Sequence, residues 1–402
     1  MREYSIARFE KALLFLAGMT LPLIELRVEL AGFSLSIFMF FLVLLIGLNF
    51  KLILNNYRYS VSDMLLFLFS LYMLFTCIYA TDIFYALNQW IKLIITISIY
   101  GGLKTLFYKK PDYFWIIIKA ACIGVSAYLL YLMYHYLYRF GVTYIGVETA
   151  YTTKSGKNSL AFMVSFILPF TLYFMINEPV VKKSKLLNAI IVLVTIVGSI
   201  LIQSRALILL FGFYIVVILY NKKINFKMVK TILVYSIVLL VLANIFAPER
   251  MIKDVQTRIN SFMYFFEDDY VASGDSSTAG IASLEKRSYL IQKGIGMLKE
   301  KPLTGHGIGS FRYYEGISSA VSHNDYVRII AEQGVIGIIV FLILVSYYTY
   351  YAFKIYRFDK NNLNILLAVI GMYAYLFMIN AYDNILLWFV MAMIAANKRR
   401  LL

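Results

Sequence analysis

Apolar runs long enough to cross a bilayer recur along almost the whole of this chain, and nothing else constrains its fold as strongly. A bilayer's hydrocarbon core is about 30 Å thick, so roughly 20 apolar residues in a helix, at about 1.5 Å each, cross it. No water is present there to satisfy backbone groups, so such a run must be helical or part of a closed barrel. The runs at 12–30, 31–50, 62–80, 86–107, 113–137, 159–177, 186–203, 206–220, 228–247, 335–353, 363–380 and 384–397 predict an all-α polytopic membrane protein with about twelve spans. Composition agrees: 61% of residues are hydrophobic and 15% charged, against about a quarter charged in soluble domains.

The stretch 186–220 is nearly continuous, broken only by Gln203, Ser204 and Arg205. One helix of that length overshoots a bilayer. Two helices meeting at a tight turn are expected, with Arg205 at its tip.

Net charge is +16, but its placement argues against nucleic acid. Basic residues cluster before the first span (Arg2, Arg8, Lys11) and after the second (Lys51, Arg58), fourth (Lys104, Lys109, Lys110), sixth (Lys182, Lys183, Lys185), eighth (Lys222, Lys223, Lys227, Lys230) and tenth (Lys354, Arg357, Lys360). Lys398, Arg399 and Arg400 close the sequence. With twelve spans all seven clusters share one side, the cytoplasmic one by the positive-inside rule. Both termini are then inside. The chain divides into membrane helices at 1–247, an external segment at 248–334, and further membrane helices at 335–402. Cys77 and Cys122 lie within apolar runs and suggest neither disulfide nor metal site. The N-terminus lacks the pattern of a removable signal peptide.

The polar residues outside are where chemistry is expected. Arg139, Lys154, Lys157 and Asn158 sit in a loop at 138–158, against the charge trend. They are either ordinary loop residues or binding groups. In the external segment, Ile252, Val255, Ile259, Phe262 and Phe266 form the stripe of an amphipathic helix, with Arg258 off it. The acidic run Glu267, Asp268, Asp269 reads as a solvated loop rather than a cation site. A second helix over 283–300 carries Leu284, Ile291, Ile295 and Leu298 on one stripe, and Arg287 falls on it. A charge on a buried face needs an anionic partner, either a carboxylate of the segment or a ligand phosphate. Gly305, Gly307 and Gly309 alternate around His306, allowing backbone to approach backbone or ligand. Ser322 is the expected N-cap of the next helix, with His323, Val327 and Ile330 on its inward face and Asn324 and Arg328 beside them. Histidine suits proton transfer near neutral pH.

The ordered set resembles the O-antigen ligase and O-antigen polymerase superfamily of bacterial inner-membrane glycosyltransferases. It consists of Ser204-Arg205, then Arg287, then Lys301-Pro302-Leu303-Thr304-Gly305-His306-Gly307-Ile308-Gly309, then His323-Asn324 and Glu332-Gln333-Gly334. The resemblance covers roughly residues 150–380. It implies a C-type glycosyltransferase fold whose external segment is periplasmic. The implied donor is a glycan on undecaprenyl diphosphate. The acceptor is a second lipid-linked repeat in a polymerase, or lipid A-core in a ligase. No metal, nucleotide sugar or other cofactor is implied. Membrane lipid and a regulator of chain length are candidate partners. Arg205, Arg287 and His323 would be the catalytic residues, the arginines on the diphosphate and the histidine at the acceptor hydroxyl. Lys154, Lys157, Asn158, Arg258, His306, Asn324 and Arg328 would line the substrates. The compact spacing from Arg287 to His323 favours polymerase, with ligase as the alternative. A lipid-linked oligosaccharide flippase is a further alternative, although neither internal repeats nor broken midplane helices are found.

Overall fold

The computed structural model describes residues 2–24, 27–30, 33–135, 157–176, 185–202, 204–222, 278–314, 322–382 and 384–401. The expected span 228–247, the helix carrying Arg258, the acidic run, and Arg139 and Lys154 lie outside these residues.

Helices dominate. They are α1 (Arg2–Met19), α2 (Ile37–Leu48), α3 (Phe50–Asn56), α4 (Val61–Cys77), α5 (Ile83–Lys109), α6 (Asp112–Met133), α7 (Lys157–Ile176), α8 (Lys185–Leu201), α9 (Arg205–Lys222), α10 (Thr278–Glu300), α11 (Asp325–Phe358), α12 (Leu363–Tyr375) and α13 (Ile385–Leu401). By length and apolarity α5, α6 and α11 can each cross a membrane. The α2–α3 pair, bent by 70°, is a fourth candidate, and α4, α7, α8, α9 and α13 contain shorter apolar helices. Side chains on the outside of the bundle are themselves apolar, as with Leu54, Phe67 and Phe75. Water would not tolerate so continuous an apolar surface. The protein is a helical, polytopic membrane protein.

One correction concerns the first two expected spans. Residues Arg27–Leu30 (β1) and Phe33–Ser36 (β2) form an antiparallel hairpin, with Arg27 opposite Ser36 and Leu30 opposite Phe33. The sequence Arg27-Val28-Glu29-Leu30 alternates polar and apolar, which suits a strand and not a helix face. Pro22, in the turn after α1, supplies no backbone donor to continue that helix.

Contacts fix the direction of each helix. At one end Lys110 pairs with Glu10 at 2.9 Å and bonds Asn49 Oδ1 at 3.0 Å. Lys104 donates to the Arg58 carbonyl, and Tyr356 bonds Asn221. This end gathers the ends of α5, α9 and α11 and the start of α4. At the opposite end Tyr79, just past α4, donates to the Thr304 carbonyl at 2.9 Å. There Thr81 N–H, before α5, donates to Ser310 Oγ at 3.1 Å. The consecutive helices α4 and α5 therefore run in opposite directions, and across the bundle α1 packs on α6, α5 on α13, α7 on α12, and α10 on α11. Aromatic rings fill the centre. Tyr100, Tyr348 and Trp388 meet edge to face, and Tyr348 donates to the Tyr100 hydroxyl at 2.9 Å.

Lys104 is not in a loop. It is fully buried within α5, ion-paired to Asp63 of α4, with the Tyr57 ring 4.5 Å away. The basic cluster after the fourth span reduces to Lys109 and Lys110.

Candidate active site

Around Gly334 two parts of the chain are joined backbone to backbone. α11 breaks there, at φ 65° and ψ −165°. Val335 N–H donates to the Pro302 carbonyl at 2.9 Å and Gly307 N–H to the Glu332 carbonyl at 2.7 Å. A Cβ on Gly334 would lie 2.3 Å from the Leu303 carbonyl oxygen. The glycine-rich loop is thus a structural plug that replaces the helical hydrogen bonds lost at the break. His306 belongs to this plug. Its Nε2 lies 3.0 Å from the Met297 carbonyl and 3.4 Å from a Glu300 oxygen.

α10 buries Leu290, Gly294 and Met297, while Ile295, on the expected stripe, faces outward. The true stripe is one position off, and Arg287 still lies on it, three residues before Leu290. Arg287 Nη1 donates to the thioether of Met378 at 3.4 Å. Among the described residues no carboxylate pairs with it. A thioether is a weak acceptor.

The Ser204–Arg205 turn is where the sequence placed it, between α8 and α9. Ser204 begins α9, its carbonyl accepting from Ile208 N–H at 3.0 Å. Its hydroxyl shares a hydrogen bond with that of Tyr375, the last residue of α12. Arg287 is close enough to act electrostatically on that phenol.

His323 precedes α11 instead of lying on its face. Asn324, not Ser322, is the N-cap, accepting from the backbone of Tyr326 at 3.0 Å and Val327 at 3.1 Å. His323 has φ 52°, the one positive value outside glycine among the described residues. Such a conformation costs about 1–3 kcal/mol and persists where its surroundings impose it. Here Ser322 Oγ meets Asn380 Oδ1 at 3.0 Å. Asp325 N–H donates to the Leu376 carbonyl at 2.8 Å, and Ala381 N–H to Asp325 Oδ2 at 2.6 Å.

One turn, Tyr375–Tyr382, therefore touches Ser204, Arg287 and both flanks of His323. The sequence reading missed it, running a helix through to 380. The polar set Asn380, Tyr382, Asp383 and Asn384 inside an apolar stretch was the available signal. Arg328 lies against the same turn, 4.9 Å above the Tyr382 ring, and bonds Glu332 at 3.3 Å. Asn158, at the start of α7, is partly exposed. It shares that end of the bundle, since Phe162 packs on Tyr375. Lys157 is the first residue of α7. Among the described residues no group of three or more His, Cys, Asp or Glu could hold a metal ion.

At the edge of the site Asp82 caps α5, accepting from Tyr85 N–H at 2.9 Å and from the Tyr313 hydroxyl at 2.9 Å. The Tyr85 N–H, then the Tyr313 hydroxyl, hold its carboxyl below the usual carboxylate range.

Residues 187–342 match the sequence model of a family described as O-antigen ligase. That is less than half of the chain, but it includes Ser204–Arg205, Arg287, the glycine plug and His323. No curated protein matches the sequence. Over this segment, and in the ordered residues it contains, the chain is similar to the O-antigen polymerase and ligase superfamily.

Proposed function

We propose that the protein is a membrane glycosyltransferase of surface-polysaccharide synthesis, most specifically a polymerase. It moves a glycan from undecaprenyl diphosphate to a sugar hydroxyl on a second lipid-linked unit. The site lies at the end of the bundle away from the basic loops, which by the positive-inside rule is the periplasmic face of the bacterial inner membrane.

The observation that supports this reading is the convergence of Ser204, Arg287 and the residues on either side of His323 on the single turn 375–382. The chemistry needs cations where the diphosphate leaves and a base at the attacking oxygen. Arg205 and Arg287 meet the leaving group. His323 takes the proton as the acceptor oxygen bonds the anomeric carbon and the bond to diphosphate breaks, with inversion. The proton then passes to solvent and undecaprenyl diphosphate is released. The donor carries its own leaving group, so this sequence of steps calls for no metal or cofactor.

Ligation to lipid A-core is the second reading, favoured by the matching family's being one of O-antigen ligases. Deleting the gene in its host separates the two. Core bearing a single repeat on a lipopolysaccharide gel means polymerase. Bare core with long glycan retained on the lipid carrier means ligase. An unchanged ladder points to another polymer, such as a capsule, or to the transporter reading.

A further inference from the structure

We propose that the Tyr375–Tyr382 turn is the positioning frame of the site, Tyr375 serving the diphosphate side and Asn380 the acceptor side. The inference rests on the transfer reading above. Tyr375 is buried, and its hydroxyl meets the hydroxyl of Ser204. Ser204 is the residue from which α9 starts, so this bond fixes where Arg205 begins the helix. Three residues on, Met378 receives Arg287. One short piece of chain thereby sets the spacing of two cations contributed by α9 and α10.

Asn380 works on the other side. Its side-chain oxygen meets Ser322 Oγ, immediately before the left-handed backbone of His323. Its Nδ2 is buried with no hydrogen-bond partner among the described residues. An amide kept buried with half its capacity unused is costly for stability alone. Asp325, on the far side of His323, is tied to Leu376 and Ala381 of the same turn. The histidine is thus anchored before and after by one frame. Tyr375 and Asn380 are five residues apart and serve different partners, so their effects should separate.

The test uses the full-length protein with a synthetic polyprenyl-diphosphate glycan, measuring transfer kinetics and direct binding of undecaprenyl diphosphate. Tyr375→Phe is expected to raise the donor KM and the lipid Kd by about tenfold with kcat within about twofold, the scale of one hydrogen bond. Adding Ser204→Ala to it should cost nothing more, since both remove the same contact. Asn380→Ala is expected to lower kcat about tenfold with the lipid Kd within about twofold. Asn380→Asp, which keeps the acceptor oxygen, should recover most of it. If both variants lower kcat and binding together, or neither changes either, the frame is overturned while the transfer reading stands. If the wild type neither binds the lipid nor transfers the glycan, that reading fails and this inference with it.

Discussion

Replacing Gly334 with alanine should uncouple the external segment from the bundle. The residue sits at φ 65° and ψ −165°, a region essentially reserved for glycine, where a side chain costs about 1–3 kcal/mol. The new Cβ would also meet the Leu303 carbonyl oxygen at 2.3 Å and the Gly305 nitrogen at 2.7 Å. Both are backbone atoms and cannot rotate away. The plug must retreat, breaking the bonds from Val335 to Pro302 and from Ile336 to Leu303. These residues are exposed, so each lost bond costs about 0.5–1.5 kcal/mol. With the backbone strain the sum is about 2–6 kcal/mol. Gly212 is the control: a Cβ there meets nothing within 4 Å, and a helical Gly→Ala change stabilises by up to about 1 kcal/mol. Equilibrium unfolding in detergent measures both variants, and proteolysis of the segment 278–314 reports local release. Equal stability and equal protease resistance in Gly334→Ala and Gly212→Ala would refute the plug.

Three further outcomes are expected. Arg205→Ala, Arg287→Ala and His323→Ala should each reduce transfer by at least about a hundredfold while protein accumulates in the membrane at wild-type level, as judged by immunoblot and product gel. Lys104→Met alone should destabilise by about 3–5 kcal/mol by leaving Asp63 buried and unmatched. The double variant with Asp63→Leu should recover most of that in the same unfolding assay. Because the Asp82 carboxyl is held down, its contribution is full above the ordinary carboxylate pKa of about 3.9 and is lost as pH falls through the lower folded value. Tyr313→Phe removes one cause of that depression, so hydrogen exchange around 310–313 should rise at a higher pH than in the wild type.

The helices were legible because hydropathy over some twenty residues is a strong, local signal. The Ser204–Arg205 turn was legible for the same reason, as three polar residues stand out in an apolar run. Arg287 was legible as an inward-facing cation, although the stripe was assigned one position off. A difference of about 100° per residue separates neighbouring stripes, and an apolar sequence offers several. What escaped was short or long-range. The hairpin at 27–36 is too brief to register against flanking apolar runs. Lys104 resembled its loop neighbours because its partner Asp63 is 41 positions away. The glycine plug and the 375–382 turn depend on contacts between distant segments, such as Asn380 with Ser322. Hydropathy reads neither. The left-handed backbone of His323 was equally invisible, since histidine's modest enrichment at positive φ is too weak to announce one position.

The central claim is best tested by incubating purified protein in liposomes with an undecaprenyl-diphosphate repeat unit, in the presence of a metal chelator. Longer glycan on the lipid, stoichiometric release of undecaprenyl diphosphate, and loss of both in Arg287→Ala and His323→Ala are expected. Lipid-linked repeat that stays unjoined, or joining that survives both substitutions, would contradict it.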